Sequence, residues 1–312
     1  MMAAMSAREL LVLGTSSAVP TRRRNHNGYF LRWDGHGLLF DPGEGTQRQM
    51  RHAGVSAHDV TRICLTHFHG DHALGVPGVV QRIARDGVAH EVRAAFPASG
   101  LEYWRRLRHA TVFADTGVIV EQPVAGEAVE LPGEDAFTLT ARPLAHRVDT
   151  YGYRLAEPDG WRMLPDRLAA RGVAGPDIGR LHREGRVRAA DGSWVELAEC
   201  AEPRRGQVFA FVMDTGPCAA AEELAAGADL LVIEATYLAA EAAPAAEYGH
   251  LTAGQAGRIA ARAGVRRLVL THVSERYDAR DEPRFVAEAA AEFGGEVVLA
   301  ADLDVVAVPA RV

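Results

Sequence analysis

The segment Thr66-His67-Phe68-His69-Gly70-Asp71-His72 holds four metal-competent side chains within six residues. Imidazole nitrogens and carboxylate oxygens are donors that borderline divalent cations accept. The segment follows an apolar run at 63–65 that reads as a buried strand. Alternate side chains of an extended strand end point the same way, so His67 and His69 converge on one ion. Gly70 then allows a turn that sends Asp71 and His72 toward a second ion. A His-x-His-x-Asp-His pattern arises by chance in roughly one chain in a thousand of this composition, which makes a crowded, solvated polar turn a poor account of it.

Two ions need further donors, and three more strand-like runs end in one. The run 137–141 leads through Pro143 to His146, the run 208–213 ends at Asp214, and the run 267–270 leads to His272. Singly, each has a plain reading as a turn or surface residue. Together with the cluster they fit a layered fold that delivers ligands from the same ends of several strands. The chemistry such a site offers is metal-assisted hydrolysis, with a water held between two cations, made acidic, and aimed at an electrophile such as phosphate.

The elements that must position these residues are legible as short apolar runs bounded by Gly, Pro or polar clusters. They lie at 10–13, 29–33, 37–40, 63–65, 137–141, 208–213, 230–233, 267–270 and 297–300, and their length and β-branched content predict strands. Ala-rich helical patterns at 218–226 and 253–263 lie between them, the second opened by Thr252-Ala253-Gly254-Gln255, a capping-box pattern. Strands alternating with helices predict an α/β architecture, here one domain over 1–312.

The stretch 154–206 reads as an insertion, being polar, rich in Gly and Pro and poor in apolar periodicity. Within 162–188 it carries seven arginines (Arg162, Arg167, Arg171, Arg180, Arg183, Arg186, Arg188) against three acids (Asp166, Asp177, Glu184), a local basic patch.

That patch stands out because the chain is acidic overall, with a formal charge of −7 over 312 residues. Global charge therefore gives no support to non-specific binding of nucleic acid. Every one of the 34 basic residues is arginine, which fits a GC-rich coding sequence, as do the Ala-rich stretches. The three cysteines, Cys64, Cys200 and Cys218, form no C-x-x-C pair and indicate neither a disulfide framework nor a thiolate metal site. No segment approaches the roughly 20 apolar residues of a membrane span, so a cytoplasmic protein without membrane contact is expected.

The chain resembles the metallo-β-lactamase superfamily and, within it, the ribonuclease Z family of transfer-RNA 3′-processing endonucleases. The resemblance runs through Leu13-Gly14-Thr15-Ser16-Ser17-Ala18-Val19-Pro20 with Arg24-Asn25, then Asp41-Pro42-Gly43-Glu44-Gly45-Thr46-Gln47, the histidine cluster, and the later ligand positions in order. It implies an αββα sandwich of two mixed sheets flanked by helices. It also implies two zinc ions, with manganese an alternative for a nitrogen and oxygen donor set. His67, His69 and His146 would take one ion and Asp71, His72 and His272 the other, with Asp214 bridging.

The resemblance further implies that Asp71 orients the attacking water and that His250, in Glu247-Tyr248-Gly249-His250, protonates the leaving 3′ oxygen. His250 precedes a helix whose positive end disfavours imidazolium, and a bound phosphate or a carboxylate such as Glu234 would offset this. Asp41 and Glu234 are candidate outer partners of the ligands. Gly175-Pro176 in the insertion is similar to the motif of the family's arm for precursor transfer RNA, and Arg171, Arg180 and Arg183 would bind phosphate there. A homodimer is likewise implied.

Two other function classes compete. One keeps the fold and takes a small ester: a cyclic phosphodiesterase, lactonase or thioesterase. The other is a non-catalytic RNA binder, or an iron-using redox relative, which the intact set His67, His69 and His72 disfavours. Arg22, Arg23 and Arg24 read either as phosphate contacts or as a solvated loop.

Overall fold

The computed structural model describes residues 8–133, 135–189 and 191–311. These residues form two compact units, one holding the chain up to Leu155 and from Val208 to Ala310, the other Ala156–Gln207 with Arg311.

In the first unit the chain builds two seven-stranded sheets. One joins, in spatial order, Val305–Ala307, Arg8–Gly14, Gly28–Trp33, His36–Phe40, Arg62–Cys64, Val92–Pro97 and Ile119–Val124. The other joins Glu296–Leu299, Arg267–Thr271, Leu230–Glu234, Val208–Val212, Tyr151–Ala156, Thr138–Pro143 and Val129–Leu131. Both are mixed: the first passes from antiparallel to parallel pairing at His36–Phe40, and the second has parallel pairs at one end and an antiparallel pair at the other.

Strand side chains alternate between two cores, which is why the first run looks continuously apolar in sequence. Leu10 and Val12 join the cluster between the sheets, with Tyr29, Phe40, Phe209 and Phe211, while Leu11 and Leu13 join a second cluster with Val76, Val79 and Ile83 of the helix Val76–Arg85. Each such buried side chain stabilises the fold by roughly 1.5–3 kcal/mol relative to exposure. Helices Ala219–Ala225 and Ala253–Arg262 pack against the second sheet. The αββα expectation is borne out, and so is the capping box: Gln255 N donates to Thr252 Oγ1 at 3.3 Å and Thr252 N to Gln255 Oε1 at 2.8 Å.

The three parallel strands Val208–Val212, Leu230–Glu234 and Arg267–Thr271 run the same way and end at Asp214, Glu234 and His272. Ligand sites of open parallel sheets form beyond such carboxyl ends. Asp41, Asp214 and His272 adopt left-handed backbone, with φ of 43°, 44° and 61°. Non-glycine residues held there are uncommon and gather at functional sites.

The second unit has its own small core. Leu168, Leu181, Val187, Val195, Leu197 and Cys200 are buried together between the helices Pro165–Ala170, Pro176–Glu184 and Leu197–Cys200 and the hairpin of Arg186–Arg188 with Trp194–Glu196. The stretch that looks aperiodic in sequence is thus folded, from elements too short to show a period. Gly175-Pro176 has a local reason here: Gly175 takes φ 58° and ψ −133°, and Pro176 fits the first turn of the helix it opens.

The expectation of a basic patch needs correction. Residues 156–207 carry nine arginines and nine acids, and the later acids reach back to the earlier arginines. Arg162 and Arg167 pair with Glu202 at 2.9 and 3.2 Å, Arg171 with Glu199 at 2.9 Å, and Arg180 with Asp177. Arg183, Arg186 and Arg188 have no carboxylate partner among the described residues, and the last two lie 4.9 and 5.1 Å from the Trp194 ring centroid.

Candidate metal centre

Four separate stretches of the first unit meet at one cleft. His67 and His69 lie on the loop after Arg62–Cys64, and Gly70 starts a one-turn helix, Gly70–Ala73, that swings Asp71 and His72 inward. Gly43 in the neighbouring loop is required by packing, since a Cβ there would stand 2.1 Å from the Asp71 carbonyl oxygen. His146 follows Thr138–Pro143, Asp214 follows Val208–Val212, and His272 follows Arg267–Thr271.

Asp214 organises the cluster by turning one oxygen to each side. Its Oδ2 lies 3.6 Å from His67 Nε2 and 3.8 Å from His146 Nε2. Its Oδ1 lies 3.3 Å from His72 Nε2 and 3.1 Å from His272 Nε2. Asp71 Oδ2 completes the second group at 3.2 Å from His72 and 3.4 Å from His272. Two donor groups result, His67, His69, His146 and Asp214 on one side and Asp71, His72 and His272 on the other. His250 also comes close, with Asp214 and His272.

The donors fit divalent cations. His146 Nε2, His272 Nε2 and Asp214 Oδ1 are buried without a hydrogen-bond partner, and such orphaned polar atoms are costly unless something binds them. The carboxylates of Asp41, Asp71, Asp214 and Glu234 are all buried beside one another, a concentration of negative charge that imidazoles alone offset poorly. Burial holds the imidazoles of His67, His69 and His146 below the usual range, keeping them neutral and free to ligate. His72 goes the other way. Burial pulls it down, but Asp214, Asp71 and Asp41 outweigh that and raise it, as they would favour any cation in its place.

A second layer orients the donors. Asp41 Oδ2 lies 2.9 Å from His72 Nδ1, and Asp41 is itself fixed by the amide and hydroxyl of Thr66, both at 2.7 Å. His146 Nδ1 faces the Gly249 carbonyl at 3.0 Å, and His272 Nδ1 faces Thr236 Oγ1 at 2.7 Å. Thr236 in turn donates to Glu234 Oε2 at 2.6 Å. Glu234 Oε1 lies 3.0 Å from His250 Nδ1. Burial lowers the His250 pKa, but the charge and hydrogen bond of Glu234 outweigh it and push it up to about 9. The helix-end objection to a charged His250 is therefore met by Glu234.

Asp41 and Glu234 thus lie where outer partners belong. Sequence reasoning missed Thr66, Thr236, the Gly249 carbonyl, and Asn27, whose Nδ2 is 3.3 Å from His72 Nε2. Thr236 is the one with a signal, standing two residues beyond Glu234 at a strand end.

Of the three arginines near the amino terminus, Arg24 does not lie in a solvated loop. It is buried, donating to Thr15 Oγ1 and the Ala300 carbonyl at 2.7 Å each and to Glu282 Oε1 at 2.9 Å. Arg171, Arg180, Arg183, Gly175 and Pro176 belong to the second unit and are not among the cleft residues. The cleft has a volume of about 330 Å³, with His69, Asp71, His146, Asp214, His250 and His272 in its lining.

Residues 21–173 match the metallo-beta-lactamase superfamily model, and residues 181–273 match a beta-lactamase superfamily domain. The chain is 70% identical over 307 residues to a ribonuclease Z of Thermobifida fusca, covering 98% of this chain and 96% of that one. It is 60% identical over 308 residues to a ribonuclease Z of Nocardia farcinica, covering 98% and 100%. Among solved structures, the short form of human tRNase Z superposes with a TM-score of 0.70 at 24% identity, covering 97% of this chain and 100% of that one.

Proposed function

The chain belongs to the ribonuclease Z family of the metallo-β-lactamase superfamily, and from that premise we propose that it cuts the 3′ trailer from transfer-RNA precursors. The products would be a 3′-hydroxyl on the transfer RNA and a 5′-phosphate on the trailer. The observation that carries the reading is Asp214, one oxygen toward each of two donor groups, in the same cleft as His250, whose imidazole is paired with Glu234.

We assign two zinc ions to the site, one to His67, His69 and His146, the other to Asp71, His72 and His272, with Asp214 shared. When bound, such a pair supplies an acidified water and neutralises charge that builds on the phosphate.

The protein's own side chains do the rest. Burial raises the Asp71 carboxyl, but His72 and His272 outweigh it and hold the group far below the usual range. Asp71 is therefore ionised, and it aims the attacking water by accepting its hydrogen bond, the position from which it takes up the water's proton. His250, kept charged by Glu234, donates a proton to the leaving 3′ oxygen. Asp41 and Thr236 keep the imidazoles of His72 and His272 from turning.

In the second unit, Gly175-Pro176 and Arg183 are the parts we assign to gripping the body of the precursor, while Arg171 and Arg180, already paired with acids, contribute less. The cytoplasmic location and the homodimer belong to the same proposal.

The test is a 3′-extended transfer-RNA precursor incubated with purified protein, with and without chelator, and the cut position mapped. A single chelator-sensitive cut at the trailer junction is expected. Hydrolysis of small esters with the precursor left intact would overturn the reading in favour of a small-molecule hydrolase.

A further inference from the structure

Within the cleft, the His250 ring has that of His146 on one side and that of Tyr237 as a second neighbour, with centroids 5.2 and 6.1 Å away. A cation–aromatic pair adjoins each of these neighbours. Arg276 lies over Tyr237 at 4.8 Å, and Arg147, next to His146 in the chain, lies over Tyr248 at 4.9 Å. The two pairs meet the cleft differently. Tyr237 is only 6% exposed, so its pair presents the guanidinium, whereas Tyr248 is 42% exposed, so its pair presents the ring.

The backbone that carries Tyr248 is well anchored. This residue ends the helix Ala242–Tyr248, and Gly249 follows at φ 71°, with its carbonyl against His146 Nδ1. Arg147 Nη2 donates to the Glu247 carbonyl at 2.7 Å, at the negative end of that helix. Arg147 is thus held by a carbonyl and a ring, with no carboxylate partner among the described residues. An exposed aromatic ring backed by a cation is what a nucleobase stacks on when its phosphates lie nearby.

We infer that Tyr248, backed by Arg147, is the stacking wall for the nucleobase whose ribose carries the leaving 3′ oxygen. The inference rests on the ribonuclease reading above, in which His250, two residues from Tyr248, faces that same oxygen. Tyr248 is a binding residue in this account, and its ring, not its hydroxyl, is what counts.

The experiment is a double-mutant cycle between protein and RNA. Wild type and Tyr248→Ala are assayed on an intact precursor and on one made abasic at the nucleotide 5′ of the cut. Each change alone should lower kcat/KM by roughly 10- to 100-fold, and the two together by no more than either one. An abasic position one nucleotide into the trailer should instead multiply with Tyr248→Ala. Tyr248→Phe and Tyr248→Trp should retain the coupling and Tyr248→Leu should lose it, a pattern that mere packing would not give. Metal content and melting temperature of each variant show whether it is folded. If wild type cuts the precursor but the 5′ abasic change and Tyr248→Ala multiply, or if Leu serves as well as Phe, this inference is overturned while the ribonuclease reading stands. If wild type leaves every precursor intact while hydrolysing an aryl phosphodiester, the ribonuclease reading falls and this inference with it.

Discussion

The cleft of the first unit and the folded insertion at Ala156–Gln207 are opposite kinds of construction. The cleft gathers the proposed ligands from residues 67 to 272 at strand ends, strains two of them, Asp214 and His272, into left-handed backbone, and buries charge beside charge. The insertion closes a small core from neighbours in sequence, leaves its charges at the surface, and pairs most of its arginines with its own acids. Reactivity is concentrated where the fold is already deep enough to hold buried, unsatisfied donors. A small unit whose arginines and acids balance cannot build such a site.

That contrast predicts unequal costs of mutation. Asp214→Ala, which removes an oxygen from both donor groups, should lower kcat on precursor by on the order of 10³-fold or more. Retention of a tenth of the activity in a rapid-quench assay would contradict the shared role of Asp214.

His250→Ala should cost roughly 10²- to 10⁴-fold, the usual range for a lost general acid. The pH profile sharpens this. A group that must be protonated loses activity as pH rises through its pKa, so wild type should hold its rate up to about pH 9 and fall above it, since Glu234 raises His250 to about 9. Glu234→Gln removes the raising charge, so the alkaline limb should move to lower pH. A limb that stays in place would show that another group controls it.

Replacing Ala156–Gln207 by a short linker is feasible because the flanking strands Tyr151–Ala156 and Val208–Val212 are neighbours in one sheet. The KM for precursor should rise by roughly 10- to 100-fold, as expected for lost phosphate contacts. Hydrolysis of a small aryl phosphodiester should be spared, and loss of both to the same degree would make the insertion part of the catalytic fold. The smallest effect belongs to single arginines. Arg183→Ala should weaken precursor binding by a few-fold, roughly the worth of one phosphate contact, and flatten its salt dependence, measurably more than Arg171→Ala or Arg180→Ala. The reverse order would mean that the ion pairs with Glu199 and Asp177 open on binding.

The same contrast governs what the sequence reveals. Histidine and aspartate at strand ends are rare enough to stand out, so all seven proposed ligands were legible, and Asp41 and Glu234 with them. Their supports were not. Thr66, Thr236 and the Gly249 carbonyl are common groups whose meaning comes only from what the fold brings beside them. Buried strands of continuous apolar residues, such as Leu230–Glu234, were equally plain. Ile119–Val124 at a sheet edge, with Glu121 and Gln122 in mid-strand, carries no such run and was missed, and the three-residue Val305–Ala307 was missed although its residues are apolar. The insertion hid its core because each short element contributes only one or two apolar residues, and its basic patch dissolved once Asp191, Glu196, Glu199 and Glu202 were counted against it.

The central claim is that seven side chains from four stretches of the chain hold two divalent cations in one cleft. Elemental analysis by plasma mass spectrometry on protein loaded with zinc and then freed of loosely bound metal tests it most directly. Two equivalents per chain in wild type, falling to one or none in Asp214→Ala, are predicted. Wild-type protein that stays folded and keeps no metal under those conditions would contradict the account.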